Sequence, residues 1–334
     1  MLQVVTGDPR PIYRQIVDGV RRPIASGELP VGAALPSVRG LAHQLTVNPN
    51  TVAEAYTELT TESWLDGRAG LPPLTMVHGG PRAAFDGGYN TLVQLLVHRG
   101  NAVFQLNLRA STGDGENYTR APKGEFGNGR VQADIIEGVN WLVANGVGGP
   151  RRLAIMGDSC GRYSTLLALT HTLDLFQFGI AMSPPPDFEK TMRGAAGNPA
   201  GPGEGPLGVQ LIDYGVDLGD AALMKRIAAT SPAANAGKVS TPLLIIAGGK
   251  DKMVSIAAIT DDVATLQGAG KLVSLLVEPD EGHMPREPLT RQACVYLLQR
   301  MLHQHLGGPA VGAPSPELAK FLQQMMRANG AMAL

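Results

Sequence analysis

Gly157-Asp158-Ser159-Cys160-Gly161 lies between a short apolar run, Arg152–Met156, and a helical pattern, Tyr163–His171. A Gly-x-Ser-x-Gly pentapeptide between a strand and a helix is typical of a sharp turn that exposes a serine hydroxyl at the edge of a sheet. The turn needs glycine two residues before and two residues after the serine, because side chains there would collide with neighbouring backbone. A Gly/Ser turn can also arise by chance, so the interpretation of Ser159 as a nucleophile depends on partners elsewhere in the chain.

Five further apolar runs share the character of the run before this turn, since each is short and is separated from the next by a helical pattern. Buried strands that alternate with helices predict an α/β fold with a doubly wound, mostly parallel sheet whose two faces are both covered. The five further predicted strands are Leu74–Val77, Ala102–Leu108, Phe178–Met182, Pro242–Ala247 and Leu272–Val277.

Two candidate partners of Ser159 stand after later strands. Asp251 follows the run Pro242–Ala247, and His283 follows the run Leu272–Val277. The chain order Ser, Asp, His is that of the α/β-hydrolase fold. We therefore predict an α/β-hydrolase domain in which His283 takes the proton of Ser159 and Asp251 orients the imidazole. The six strands fit a core that begins at its third strand, so the sheet is predicted to be truncated at its first strands.

The oxyanion of a tetrahedral intermediate needs two backbone donors. One is predicted to be the N–H of Cys160, the residue directly after the nucleophile. The other is predicted to come from His78-Gly79-Gly80-Pro81 after the first strand, where glycine lets an N–H point into the site without an obstructing Cβ. A simple turn is the alternative for this tetrapeptide, but its position in the strand order favours Gly79 and Gly80 as oxyanion-hole residues.

The first 70 residues have a different pattern, with helical repeats and no strand-rich core. Ile12 begins a helical repeat of apolar residues that Gly27 ends, Ser37 can cap a short helix over Val38–Leu45, and Asn50 can cap a third helix. A short helix, a brief turn and a second helix are the geometry of a helix-turn-helix unit. The segment therefore predicts a small N-terminal all-α domain that contains a helix-turn-helix unit.

Short motifs run through this helical segment, namely Pro11–Ile16, Gly27–Leu29, Gly32, Leu35–Arg39, Leu41-Ala42 and Val47–Val52. On these residues the segment resembles the GntR family of bacterial regulators, whose N-terminal domain is a winged helix. The resemblance implies binding of double-stranded DNA, and a palindromic site would be read by a homodimer. A guanidinium can grip phosphate or a guanine edge, and the amides at a helix N-terminus suit phosphate. The predicted DNA contacts are Ser37, Arg39, Asn48, Asn50 and Thr51.

The wing of this domain is predicted to be truncated after its first strand. Trp64–Gly70 passes directly into Leu71-Pro72-Pro73, whereas in the family the third helix leads into a two-stranded wing. A shortened wing removes contacts to the DNA backbone and lowers affinity. The alternative is a three-helix appendage that no longer binds DNA.

The second segment contains a longer series of motifs, namely His78–Pro81, Asn107–Gly115, Gly124–Gly127, Asp134–Leu142, Gly157–Ser159, Ser231-Pro232, Gly248–Val254 and Glu281–His283. On these motifs, residues 71 to 307 resemble the catalytic domain of the prolyl oligopeptidase family. The resemblance implies hydrolysis of short peptides, or of related amides and esters, through an acyl-enzyme. Two features oppose activity: Cys160 and Arg162 stand where the family has Tyr and Gly, and no segment corresponds to the family's β-propeller.

Composition and net charge limit which partners, metal sites and cellular locations are expected. The net charge of −1 over 334 residues argues neither for nor against nucleic acid, and the two cysteines, Cys160 and Cys294, predict neither a disulfide framework nor a zinc site. No secretory signal and no stretch of 18 apolar residues is seen, so a cytoplasmic protein without membrane contact is expected. No metal and no cofactor is predicted. Residues 308–334 are predicted to form a linker and a last helix, Glu317–Ala328.

Three functional hypotheses follow from these two segments. The first is a serine peptidase or related hydrolase that carries a GntR-like DNA-binding domain. The second is a DNA-binding transcription regulator whose hydrolase domain senses a peptide or ester ligand without turnover. The third is a fusion with a junction near Gly70 in which neither half works well. An intact triad favours the first, whereas Arg162 and the missing propeller favour the second.

Overall fold

The chain folds into two compact units, Met1–Gly70 and Leu71–Leu334. The second unit includes the last helix, which therefore belongs to the hydrolase unit. The structure is a computed structural model, and it describes residues 4–5, 7–30, 33, 35–36, 38–62, 64–65, 71–80, 83–145, 147, 152–158, 160–197 and 207–332.

In its described residues, the first unit contains three helices, α1 (Ile12–Ala25), α2 (Val38–Leu45) and α3 (Pro49–Thr61). Their apolar faces meet in a small core, which contains the fully buried side chains of Ile16 and Val52. The predicted cap of the third helix is wrong by two residues, because Asn48 is the N-cap and its side chain accepts a hydrogen bond from Asn50 N at 2.8 Å. Pro49 at the first helical position explains the shift, since proline lacks the N–H that is unpaired there anyway.

The second unit is built on a seven-stranded sheet with the order β2-β1-β3-β4-β5-β6-β7, in which the first six strands are parallel and β7 is antiparallel to β6. All six predicted strands are present, and the predicted α/β-hydrolase class is confirmed. The strands are β1 (Pro73–Val77), β2 (Ala102–Leu106), β3 (Ala154–Gly157), β4 (Phe178–Met182), β5 (Leu243–Gly248), β6 (Val273–Glu278) and β7 (Met326–Asn329).

Both faces of this sheet are covered, which explains why its strands are continuous apolar runs. Successive residues of β5 point to opposite faces, so that Leu243 and Ile245 join one buried cluster while Leu244 and Ile246 join the other. The described helices of this unit are α4 (Thr91–His98), α5 (Glu116–Thr119), α6 (Arg130–Ala144), α7 (Cys160–His171), α8 (Phe188–Ala195), α9 (Leu207–Asp213), α10 (Ala221–Ala229), α11 (Ile256–Gly268), α12 (Pro288–Leu306) and α13 (Pro316–Met325), with a 3-10 helix at Ala233–Lys238.

The prediction of a helix over Glu317–Ala328 is wrong at its end. Helix α13 stops at Met325, and Met326–Asn329 pairs with β6 as the edge strand β7. The apolar stripe of α13 is core packing, because Leu318 and Leu322 are buried against the same cluster as α12. In the described residues, no helix combines the length and the apolar character needed to cross a membrane.

Candidate active site

The turn after β3 is held by two glycines whose surroundings leave no room for a side chain. A Cβ on Gly157 would lie 2.0 Å from the carbonyl oxygen of Gly161, and a Cβ on Gly161 would lie 2.2 Å from the carbonyl oxygen of Val77. The N–H of Asp158 donates to the same Val77 oxygen at 3.0 Å. The argument that this turn requires glycine is therefore confirmed. Ser159 itself lies outside the described residues.

Asp251 and His283 meet beyond the carboxyl ends of β5 and β6. The Nδ1 of His283 donates to Oδ2 of Asp251 at 2.8 Å, while Oδ1 of Asp251 accepts from the N–H groups of Met253 and Val254. The Asp251 side chain is fully buried, and that of His283 is 28% exposed. Burial opposes the charge of Asp251, but the hydrogen bonds from His283 and from Val254 hold the pKa of this carboxyl below its usual value. The carboxylate thus fixes the imidazole so that Nδ1 carries the proton and Nε2 carries the lone pair.

The loops that carry this pair are locked together by backbone contacts. Gly248 is the last residue of β5 and Gly249 follows it, and a Cβ on Gly248 would lie 2.1 Å from the carbonyl oxygen of Gly282. The Gly249 N–H donates to Glu278 O, and the Lys250 N–H donates to Glu281 O, both at 2.8 Å. Because Gly282 immediately precedes His283, these contacts set the distance between the carboxylate and the imidazole.

The predicted oxyanion loop, Gly79-Gly80, lies beside the start of α7. The thiol of Cys160 donates to the Gly80 carbonyl oxygen at 2.8 Å, which ties the loop to the first residue of the helix. Burial raises the pKa of Cys160 to about 11, so the thiol stays protonated at neutral pH and is no second nucleophile. Gly79, Gly80, Cys160 and His283 all line one cavity.

His78, the first residue of the predicted oxyanion tetrapeptide, supports this loop in a role that the sequence analysis did not assign to it. His78 is buried, its Nδ1 contacts the carbonyl oxygen of Gly79 at 2.6 Å, and its Nε2 contacts Oγ of Ser111 at 2.7 Å. Burial lowers the pKa of His78, against an opposing contribution from the Gly79 carbonyl. A neutral ring then donates from Nδ1 and accepts from the Ser111 hydroxyl, so the backbone at Gly79 is held in one orientation.

The cavity beside these groups has a volume of about 280 Å³ and is mainly apolar. It opens between the oxyanion loop and helices α8 and α9, so that Phe188 and Met192 of α8 form part of its wall. Further apolar side chains that line it include Leu108, Phe126, Val131, Leu211 and Met253. A cavity with apolar walls and a few convergent polar groups is typical of a small-molecule or side-chain binding site.

Arg162 lies on the first turn of α7 and is completely buried. Its Nη1 lies 3.3 Å from Nε2 of His283 and 3.3 Å from the His283 carbonyl oxygen, and its Nη2 lies 2.8 Å from Sδ of Met284. Burial lowers the pKa of Arg162 to about 10, against opposing contributions from Asp158 and Asp251. The guanidinium therefore remains charged at neutral pH, next to Nε2 of His283.

The predicted DNA contacts are only partly described. Asn48 and Asn50 are exposed at the N-terminus of α3, and Thr51 is half-buried in its first turn. Ser37 lies outside the described residues, as does the side chain of Arg39. The prediction of a truncated wing falls on residues 66–70, which are also outside the described part of the chain.

The strand order, the glycine turn after β3 and the Asp251–His283 pair define an α/β-hydrolase domain. The model of the prolyl oligopeptidase family matches residues 88–308, and the chain belongs to this family. The model of bacterial regulatory proteins of the gntR family matches residues 12–70. Both resemblances drawn from the sequence motifs are thereby confirmed.

Two curated relatives and one solved structure illustrate the similarity. Dipeptidyl aminopeptidase BIII of Pseudoxanthomonas mexicana is 36% identical over 73% of this chain and 35% of its own length. Dipeptidyl peptidase family member 6 of Caenorhabditis elegans is 32% identical over 70% of this chain and 31% of its own length. A puromycin-hydrolyzing peptidase of Mycobacterium tuberculosis shares the fold, with a TM-score of 0.65 and 23% identity over 75% of this chain and 36% of that chain. The chain thus spans about a third of the length of these relatives.

Proposed function

We propose that the second unit is a serine hydrolase that cleaves short peptides, or related amides and esters, through an acyl-enzyme. The observation that carries the proposal is the hydrogen bond between His283 and the buried carboxylate of Asp251, which leaves Nε2 of His283 beside the cavity and close to the first turn of α7. The chemistry of acyl transfer needs such an oriented imidazole next to a nucleophile and backbone donors.

In the proposed reaction, Oγ of Ser159 attacks the carbonyl carbon of the substrate while its proton passes to Nε2 of His283. The C=O π electrons move to oxygen, and the N–H groups of Cys160 and of Gly79 or Gly80 stabilise the resulting oxyanion. The intermediate collapses as the C–N or C–O bond breaks and the proton moves from His283 to the leaving group. Water then hydrolyses the acyl-enzyme by the same two steps and regenerates the Ser159 hydroxyl.

The cavity supports a substrate whose acyl part carries an apolar side chain. Its walls offer aromatic and aliphatic surface from Phe126, Phe188 and Met192, directly beside His283. Burial of such a side chain in this volume supplies binding energy of roughly 1.5–3 kcal/mol. One relative is named a dipeptidyl aminopeptidase and one structure a puromycin-hydrolyzing peptidase, so both names describe peptidases.

Reaction with a fluorophosphonate probe tests this proposal. We expect the parent chain to be labelled once, and Ser159→Ala to remain unlabelled because the nucleophilic oxygen is gone. Ser164→Ala is the matched control, since Ser164 lies on α7 and lines the same cavity but is not placed in the triad. Intact-mass spectrometry measures the labelling. A parent chain that does not react, or a Ser159→Ala chain that reacts equally, would contradict the proposal.

A second candidate function, a DNA-binding regulator that senses a peptide or ester without turnover, is favoured by one observation. The guanidinium of Arg162 lies within hydrogen-bond reach of Nε2 of His283, the atom that must take the serine proton. A site in which the base is occupied can still bind a ligand in the apolar cavity. The match of residues 12–70 to the gntR family supports binding of double-stranded DNA by the first unit.

A gel-shift assay on a library of double-stranded DNA tests the DNA-binding part. We expect retardation by the parent that weakens steeply with salt, because Lys and Arg contacts to phosphate release counterions. Arg39→Ala is expected to weaken binding by about tenfold, the loss of one or two charge-assisted contacts. Arg10→Ala is the control, because Asp8 and Asp18 already engage that guanidinium. Equal retardation by the parent and by Arg39→Ala would show that Arg39 does not contribute to DNA binding.

A further inference from the structure

Arg162 is an unusual residue to find buried at the start of this helix. Its side chain has no solvent exposure, yet its partners are weak: the His283 carbonyl oxygen, the His283 Nε2 and the Met284 sulfur. The Nε of Arg162 has no hydrogen-bond partner within the described part of the chain. A buried cation is costly unless it is paired with an anion.

Among the described residues, the hydrogen-bond contacts of this guanidinium are with His283 and Met284, and no salt bridge joins it to a carboxylate there. Asp158 and Asp251 act on it only at longer range. Because Asp251 holds Nδ1 of His283, the ring presents its lone pair at Nε2, and Nη1 of Arg162 is the donor placed against that lone pair. The group placed against Nε2 of His283 is thus a cation.

We propose that Arg162 restrains His283 as a general base, so that its removal accelerates attack by Ser159. The inference rests on the proposed function, because it concerns the same imidazole. Two physical effects of Arg162 both oppose proton transfer to Nε2 of His283. Proton transfer to Nε2 requires the bond to Arg162 to break, and the imidazolium that forms stands next to a second positive charge. Arg162 therefore acts through His283 and not by contact with substrate.

The orientation of the ring does not depend on Arg162. The hydrogen bond of 2.8 Å to Asp251 fixes the ring from the opposite side, and the glycine contacts between the two loops fix the backbone. Glu281, on the same loop as His283, is engaged elsewhere, since its Oε1 accepts from the N–H groups of Arg286 and Glu287. Asp251 and Arg162 contact the His283 ring directly, and the titratable groups of His78 and Cys160 line the same cavity.

The test compares the parent with Arg162→Met and Arg162→Lys in the full chain. Met keeps a long apolar stem without charge or donors, whereas Lys keeps the charge. We expect Arg162→Met to react with a fluorophosphonate at least about tenfold faster than the parent on the alkaline plateau, and Arg162→Lys to stay close to the parent. The acidic limb of the rate profile is expected to differ between Arg162→Met and the parent, because the substitution removes the positive charge beside Nε2 of His283.

A structural role for Arg162 alone would not move the pH profile. Arg162→Gln is made as a second neutral variant, and the comparison uses the neutral variant whose circular dichroism and melting curve match the parent. Arg152→Met, at the opposite end of β3, is the control and is expected to leave rate and pH profile unchanged. Equal rates and equal acidic limbs in the parent and the neutral variant would overturn the inference while leaving the proposed function intact. If neither the parent nor the neutral variants react, the proposed function falls, and this inference falls with it.

Discussion

Asp251→Asn is expected to lower kcat/KM for a peptide or ester substrate by about 10⁴-fold while the fold is kept. The Asn side chain still offers an oxygen to the N–H groups of Met253 and Val254, which the carboxylate now binds at 2.7 and 3.0 Å. Its amide then donates to Nδ1 of His283, so the ring proton moves to Nε2 and the nitrogen that should accept the serine proton is blocked. Steady-state kinetics with a chromogenic ester would measure the loss.

The control for this variant is Asp280→Asn. Asp280 stands at the end of β6 near His283 in sequence, but it is exposed and pairs with Lys250 at 2.6 Å. Exposed ion pairs contribute little, so no change in kcat/KM beyond about twofold is expected. Retention of most of the activity in Asp251→Asn would show that the pair seen between β5 and β6 does not orient the base.

Gly161→Ala is expected to be strongly damaging although it adds only a single methyl group. The added Cβ would lie 2.2 Å from Val77 O and 2.9 Å from His78 O, and both neighbours are backbone atoms of β1 and the oxyanion loop. Either the helix or the strand must move, and we expect the thermal unfolding midpoint to fall by about 6 °C or more and the labelling of Ser159 to be lost. Differential scanning calorimetry would record the midpoint.

Gly268→Ala is the matched control for this change. Gly268 is the last residue of α11, and a Cβ built there meets no atom within 4 Å. Alanine is a better helix former than glycine, so the midpoint is expected to stay or to rise slightly. A Gly161→Ala chain that melts with the parent and reacts with the probe would mean that the turn after β3 tolerates a side chain.

Most of the fold could be predicted from the sequence because its strands are buried on both faces. A run such as Phe178–Met182 is short, apolar and bounded by turns. This pattern can be recognised in the sequence without knowing which strands lie beside it. Strand β7 could not be predicted in this way. The apolar spacing of Leu318, Leu322 and Met325 is helical, and Met326–Asn329 leaves that helix only because the edge of β6 offers backbone partners. Tertiary pairing of this kind leaves no periodic signal in four residues.

The same distinction applies to the site. Asp251 and His283 could be placed together because the carboxyl ends of parallel strands meet at one edge of a sheet, and the structure brings them to 2.8 Å. The contact of His78 with Ser111 joins residues from two different loops, and no sequence spacing predicts it. Arg162 was visible in the sequence as a departure from the family, but its direction toward His283 depends on the packing of α7 against the loop after β6.

The close packing at Gly157, Gly161 and Gly248 has a consequence for the residues beside them. The turn and the two loops are held by contacts between main-chain atoms, so a substitution of a neighbouring side chain leaves these contacts in place. Positions such as Cys160 and Arg162 can therefore vary without a shift of Asp251 or His283. In such a scaffold, the reaction rate can change with these side chains while the positions of Asp251 and His283 stay the same.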